Sequence, residues 1–296
     1  MIAPPDATGT GFQPPWLVSS SGNPAPSDSR ARRSLVDKPL YIRTLRNDAE
    51  KIAQLARTDI DVSLPSCPGW TLSSLVAHLG SIYAEVAKNI TEGHGQDVVQ
   101  SLEDLGLPSD IHAWFAAKCE ASARPAGVTA WFAEAASRLI DIFEQSDPGQ
   151  PAWTWFAPQQ NVGFWMRRMA NETSIHRWDG QTAFGKAEPI DAHLAADGID
   201  EMLTVYAPQN CRPQSTLDGR GETYRFRRSD GAGESTVRFQ ERDTQVGPQA
   251  GDPDVVITGT ASDLVLFLWH RISDENLAVS GDSSLVSRYF ELLPPD

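Results

Sequence analysis

MRRMANETSIHRWDG, residues 166–180, carries a glutamate and a histidine four positions apart, Glu172 and His176. On an α-helix that spacing stacks both side chains on one face, one turn apart. A carboxylate and an imidazole so placed can grip one divalent metal and leave room for a ligand from a neighbouring helix. His78, in the apolar-periodic stretch TLSSLVAHLGSIYAEV (71–86), is a candidate third ligand. Two histidines and one carboxylate leave coordination positions open, as a catalytic metal requires. From the residues alone, plainer readings stand beside this one. An i,i+4 Glu–His pair is also an ordinary electrostatic neighbour on a helix surface, and a histidine bordering an apolar stripe is also an ordinary core histidine.

The chain around these residues reads as helical. From about residue 40, Ile42, Leu45, Ala49, Ile52 and Leu55 recur at three- and four-residue steps, the stripe of an amphipathic helix. LPSCPGW (64–70) holds two prolines and a glycine and reads as a rigid loop, with Thr71 placed to cap the next helix. Leu72, Leu75, Val76, Leu79, Ile82, Val86 and Ile90 form a second stripe, and His78 falls about 60° from its centre at 100° per residue. A short helix is expected over 111–121. A long helix follows over 128–144, with Trp131, Phe132, Ala135, Leu139, Ile142 and Phe143 inward. The aromatic run WTWF (153–156) leads into a fourth long helix over 162–182. Four such helices predict a four-helix bundle over 39–188, in which metal sites are built from inward side chains on facing helices.

After one more helix, over 192–206, the period changes. TYRFRR (223–228) sets Tyr224 and Phe226 on one side and Arg225 and Arg227 on the other, and STVRFQ and DVVITG also read as strands. SDLVLFLWHRI is expected as a buried helix, LAVSGD as a short strand and SSLVSRYFELL as a closing helix. The whole is therefore an α+β two-domain protein, with a small α+β domain over 189–296. Residues 1–38, rich in Pro, Ser, Gly and Ala without periodicity, read as a disordered extension.

With 296 residues the chain has length for two cores, and a formal net charge of −14 argues against nucleic-acid or anionic-membrane partners. Three widely spaced cysteines, Cys67, Cys119 and Cys211, match neither a zinc knuckle nor a disulfide framework. A reducing cytoplasm is the expected location.

LPSCPGWTLSSLVAHLG (64–80) resembles the N-terminal signature of the mycothiol-dependent maleylpyruvate isomerase family, a branch of the DinB-like metal-binding bundles. MRRMANETSIHRWDGQTAFG (166–185) resembles its second signature, and VVITGTASDLVLFLWHRISDENLAVSGD (255–282) resembles its sterol-carrier-like C-terminal domain. The likeness runs from about residue 40 to the C-terminus. It implies that His78, Glu172 and His176 bind a divalent metal, most often zinc, and that the thiol partner is mycothiol, the low-molecular-weight thiol of actinobacteria. It also implies a cationic residue for the substrate carboxylates, for which Arg271 is the best match. Asn171 stands where that family commonly has histidine, so hydrogen bonding around the ligands is expected to differ.

The implied chemistry is coherent. A thiol that coordinates such a metal is deprotonated, where a free thiol has a pKa of about 8.5. The thiolate can add to the cis double bond of a 2-oxo dicarboxylate and leave after rotation, or attack another small electrophile and stay as a thioether. Arg271 would clamp a carboxylate with its bidentate fork; a salt bridge is its plainer role. Arg168, one turn before Glu172, reads as a site residue or as an ion-pair partner of Glu172, and Asp179 as an acceptor for a histidine or a partner of Arg177. Cys67 reads as structural rather than nucleophilic. A hydrolase working through a metal-activated water, and a non-catalytic protein binding a small ligand, are the alternatives.

Overall fold

The computed structural model describes residues 37–117, 119–210 and 218–294. All but the last two positions of the expected extension lie outside them. One compact unit ends at Ala187 and a second begins at Glu188.

The first unit is helical. Helix α1 (Lys38–Thr58) begins at Asp37, whose carboxylate accepts the Leu40 amide, with Pro39 in the first turn where its missing N–H costs nothing. α2 (Leu72–Thr91) is capped by Thr71 in a reciprocal exchange with Ser74. α3 (Ser109–Ala116) is shorter than the expected 111–121, and the chain soon adopts a left-handed backbone at Cys119 (φ 57°). α4 (Val128–Gln145) and α5 (Val162–Ala183) complete the long helices. α1 packs on α4 and α5, and α2 packs on the same two, which closes a four-helix ring. Its centre is apolar: Leu45, Ile52, Leu75, Val76, Leu79, Phe132 and Leu139 are fully buried, each worth about 1.5–3 kcal/mol relative to exposure. On α4 the inward set is rotated slightly from expectation: Ala136 and Ile140 are buried, while Trp131, Ala135 and Ile142 are half-buried.

α5 differs from the other helices. Of its 22 residues, 18 are buried, and they include Arg167, Arg168, Asn171, His176, Arg177, Asp179 and Gln181. Buried polar groups cost several kcal/mol each unless they are hydrogen-bonded, so the partners of this helix define where the molecule concentrates its chemistry. Some of the pairing is structural. Asp48 of α1 accepts from Ser174 at 2.6 Å and faces Arg177 at 3.5 Å, which ties α1 to α5.

The second unit opens with α6 (Ala192–Glu201), a π-helical stretch (Met202–Tyr206) and α7 (Ala207–Asn210), in place of the single regular helix expected over 192–206. A five-stranded sheet follows in the order β3-β2-β1-β4-β5. Its strands are β1 (Gly219–Arg228), β2 (Glu234–Glu241), β3 (Asp243–Val246), β4 (Val255–Gly259) and β5 (Ala278–Gly281). β1 and β4 pair in parallel, and the other pairs are antiparallel. Tyr224 and Phe226 alternate inward as their spacing requires, and Tyr289 of α9 (Ser284–Leu292) packs against both and against Phe239. α8 (Ala261–Leu268) is buried as expected but ends before Trp269. His270 takes a left-handed φ of 60°, and the His270 and Arg271 amides return to the Phe267 and Leu266 carbonyls. This is the Schellman arrangement, with histidine where glycine is usual. Among the described residues no helix is long and apolar enough to cross a membrane.

Candidate metal centre

The loop 64–70 is built to be stiff. The Leu64 amide donates to the Trp70 carbonyl at 2.9 Å, Cys67 N to Leu64 O at 3.1 Å, and Trp70 N to Cys67 O at 3.0 Å, with Gly69 at φ 85° closing the turn. Leu72 N and Ser73 N then reach back to Val62 and Ile60, at 2.9 and 2.8 Å. The loop thus enters α2 at a fixed angle and lays the Trp70 indole against two histidines. Trp70 stacks on His176 with ring centroids 6.0 Å apart and meets His78 edge-on at 5.3 Å. Sequence reasoning missed Trp70. Its signal was available in its place immediately before the Thr71 cap, where an apolar residue folds back over the first turns of its helix.

His78, Glu172 and His176 converge. Glu172 Oε1 lies 2.9 Å from His78 Nε2 and 3.3 Å from His176 Nε2, and one ligand atom from each residue falls within 4.8 Å of the other two. The two imidazole rings are 5.0 Å apart and nearly perpendicular. His78 and His176 are buried, and the Glu172 side chain is 16% exposed. Burial favours neutral forms throughout, but the neighbours decide the outcome. Burial holds the His78 ring below the ordinary histidine range. For His176 the same burial is outweighed by hydrogen bonds to Asp179, Cys67 and Glu172, which hold it well above that range. For Glu172 burial is outweighed first by the Arg168 charge and then by the two histidines, so its carboxyl lies well below the usual value.

The side chains behind these three are equally ordered. Arg168, 1% exposed, forms an ion pair with Glu172 through Oε2, so the two carboxylate oxygens face different partners. Asp179 accepts from His176 Nδ1 at 2.9 Å, from Cys67 Sγ at 3.3 Å and from Ser66 Oγ at 2.6 Å. Arg177 faces Asp48 of α1 at 3.5 Å. Cys67 is buried and acts as a donor. Two imidazole nitrogens and a carboxylate oxygen, converging in a sheltered place with outer partners fixing ring orientation, are a donor set that suits zinc or a neighbouring divalent metal.

Arg271 belongs to the second unit. It follows the left-handed turn after α8, and its Nη1 donates to the Trp269 carbonyl at 2.9 Å.

Comparison with known proteins bears on this arrangement. Residues 45–180 match the family described as the mycothiol maleylpyruvate isomerase N-terminal domain, and residues 193–288 match the MDMPI C-terminal domain. Together the two cover well over half of the chain. A search of curated proteins gives no match. Among solved structures, the chain is similar to a crystal structure of the mycothiol-dependent maleylpyruvate isomerase. The TM-score is 0.56 at 13% identity, over 82% of this chain and 92% of that one. A point-mutant form of that enzyme aligns with the same TM-score, 0.56, and identity, 13%. At this identity the likeness is one of fold.

Proposed function

Since the chain belongs to the mycothiol maleylpyruvate isomerase family, we propose that it is a metal-dependent enzyme that uses mycothiol as the nucleophile. Its reaction is either cis–trans isomerisation of a maleylpyruvate-like 2-oxo dicarboxylate or transfer of the thiol to a small electrophile. The observation that carries this reading is the convergence of His78, Glu172 and His176, one ligand atom of each lying within 4.8 Å of the other two. These three residues would hold the metal, with zinc the first choice for an N,N,O set. When bound, the metal supplies the Lewis acidity that lowers the pKa of a thiol toward neutrality.

The chain's own groups supply the rest. Trp70 covers one side of His176 and excludes water from that ring. Arg168 holds one oxygen of Glu172, which leaves the other directed at the two imidazoles. We assign Arg271 to a substrate carboxylate, on the resemblance of its WHR segment to the family's C-terminal domain and on the bidentate fork of its side chain. A cytoplasmic location agrees with a reduced low-molecular-weight thiol as partner.

The test is elemental analysis of wild type and His176→Ala, followed by an assay with maleylpyruvate in the presence and absence of mycothiol. We expect about one metal per chain, lost in the variant, and turnover only with thiol. Metal retained by His176→Ala would remove the assignment, and turnover without thiol would point to hydrolysis.

A further inference from the structure

The Asp179 carboxylate is fully buried and sits at the junction of two elements far apart in sequence. From its own helix it takes the His176 Nδ1 contact at 2.9 Å. From the loop before α2 it takes the Ser66 hydroxyl at 2.6 Å on Oδ1 and the Cys67 thiol at 3.3 Å on Oδ2. A carboxylate only accepts hydrogen bonds, so His176 Nδ1 must carry a proton and donate it. The other ring nitrogen, Nε2, is the one that faces Glu172 at 3.3 Å.

Building on the metal reading above, we propose that Asp179, clamped by Ser66 and Cys67, is the positioning residue of the centre. It keeps the proton of His176 on Nδ1 and aims Nε2 at the point shared with His78 and Glu172. Cys67 is then a hydrogen-bond donor that must stay a thiol to do its work. The geometry also offers a competing arrangement, because Cys67, His176 and Asp179 themselves lie within reach of a common ion. The two differ in what Cys67 contributes. As a donor it is replaceable by serine, and as a soft ligand it is not. The stiffness of the loop 64–70 gains a purpose in the positioning reading, since a mobile loop would let the carboxylate and the ring turn together.

Asp179→Asn is close to isosteric. Its amide oxygen can still receive Nδ1–H, while its NH2 can face Ser66, whose hydroxyl is able to accept. The full-length protein is stripped of metal with a chelator, and zinc affinity is measured by competition with a chromophoric chelator. On the metal-free protein, the ring N–H resonances of His176 are assigned by their disappearance in His176→Ala, and the Nδ1–H, told from Nε2–H by its nitrogen's two-bond correlation to Hε1 alone, is followed for shift and solvent exchange. We expect Asp179→Asn to weaken zinc binding about 10- to 100-fold and to move the Nδ1–H resonance upfield with faster exchange. Cys67→Ser should hold zinc within about threefold of wild type, because a hydroxyl replaces the thiol as donor.

An Nδ1–H resonance unchanged in Asp179→Asn overturns the proposal. A loss of zinc affinity in Cys67→Ser as large as that in Asp179→Asn also overturns it and makes Cys67 a ligand. If wild type itself takes up no zinc, the metal reading falls alone. The N–H resonances of the metal-free protein still decide whether Asp179 sets the ring.

Discussion

Replacing Arg168 with methionine isolates the electrostatic half of the candidate centre. Arg168 is 1% exposed and the Glu172 side chain 16%, so little solvent screens their attraction. Burial works against the charged form of Glu172, and Arg168 is the largest of the influences that overcome it. Methionine fills much of the space of the arginine stem without its charge. Removing one partner of a buried ion pair costs about 3–5 kcal/mol. Glu172 keeps contacts with His78 and His176, which puts the expected loss at the lower end, about 3 kcal/mol. For a unit of this size each kcal/mol moves the melting temperature by roughly 2–4 °C. The metal-free variant should therefore melt about 6–12 °C below wild type in a calorimetric scan. Zinc should then raise the variant's melting temperature more than that of wild type, because a bound cation restores positive charge beside the carboxylate. Arg168→Lys keeps the charge without the fork and should fall between the two. A metal-free Arg168→Met protein that melts with wild type would refute the reasoning, as would zinc stabilising it less.

Three further outcomes follow from the packing. At Gly80 an added Cβ would stand 2.5 Å from the Trp131 indole; Gly80→Ala should lose up to about 2 kcal/mol in urea unfolding, an overpacking cost of about 1–3 kcal/mol set against a gain of about 1 kcal/mol in helix propensity. A more stable variant would show that the indole gives way freely. Tyr83 bonds to Thr173 Oγ1 at 2.7 Å, while that hydroxyl also donates to the Met169 carbonyl at 2.6 Å. Tyr83→Phe should thus cost only about 1 kcal/mol, and a loss several times larger in the same assay would mean that the pair cannot be separated. Burial pushes the His270 ring down to about 4. Its folded pKa lies below the unfolded value of about 6.5, so its contribution is present above that pH, declines as pH falls, and levels off below about 4. With the ring partly exposed the decline is worth about 1–2 kcal/mol. His270→Asn, which tolerates the left-handed backbone, should show a shallower loss of stability between pH 7 and 4, and an identical slope would contradict the assignment.

Where local rules and packing agree, the chain could be read directly. Thr71 as a cap, the stripe from Leu72 to Ile90, and the alternation of Tyr224 and Phe226 each carry their own signal, and α2 and β1 follow them. β3 carried none: it pairs with β2 across Glu241 and Arg242, with Glu241 at φ 54°, a turn made without the Gly or Asn that normally marks a two-residue hairpin. α8 stopped early for a similar reason, since histidine holds the place where glycine would announce the end. α5 is the instructive case. Buried almost all round, it offers no apolar stripe, yet its polar residues at a spacing of four revealed which side chains share a face. Spacing also could not tell how the face is used. The Glu172 carboxylate is divided, with Oε1 toward two imidazoles and Oε2 toward Arg168, and His176 is oriented by an aspartate whose other partners, Ser66 and Cys67, lie more than 110 residues away. A helical repeat encodes contacts within one element. The clamp on Asp179 exists only because the Pro-Gly loop before α2 is returned to the last turns of α5, and that return is a property of the closed four-helix ring.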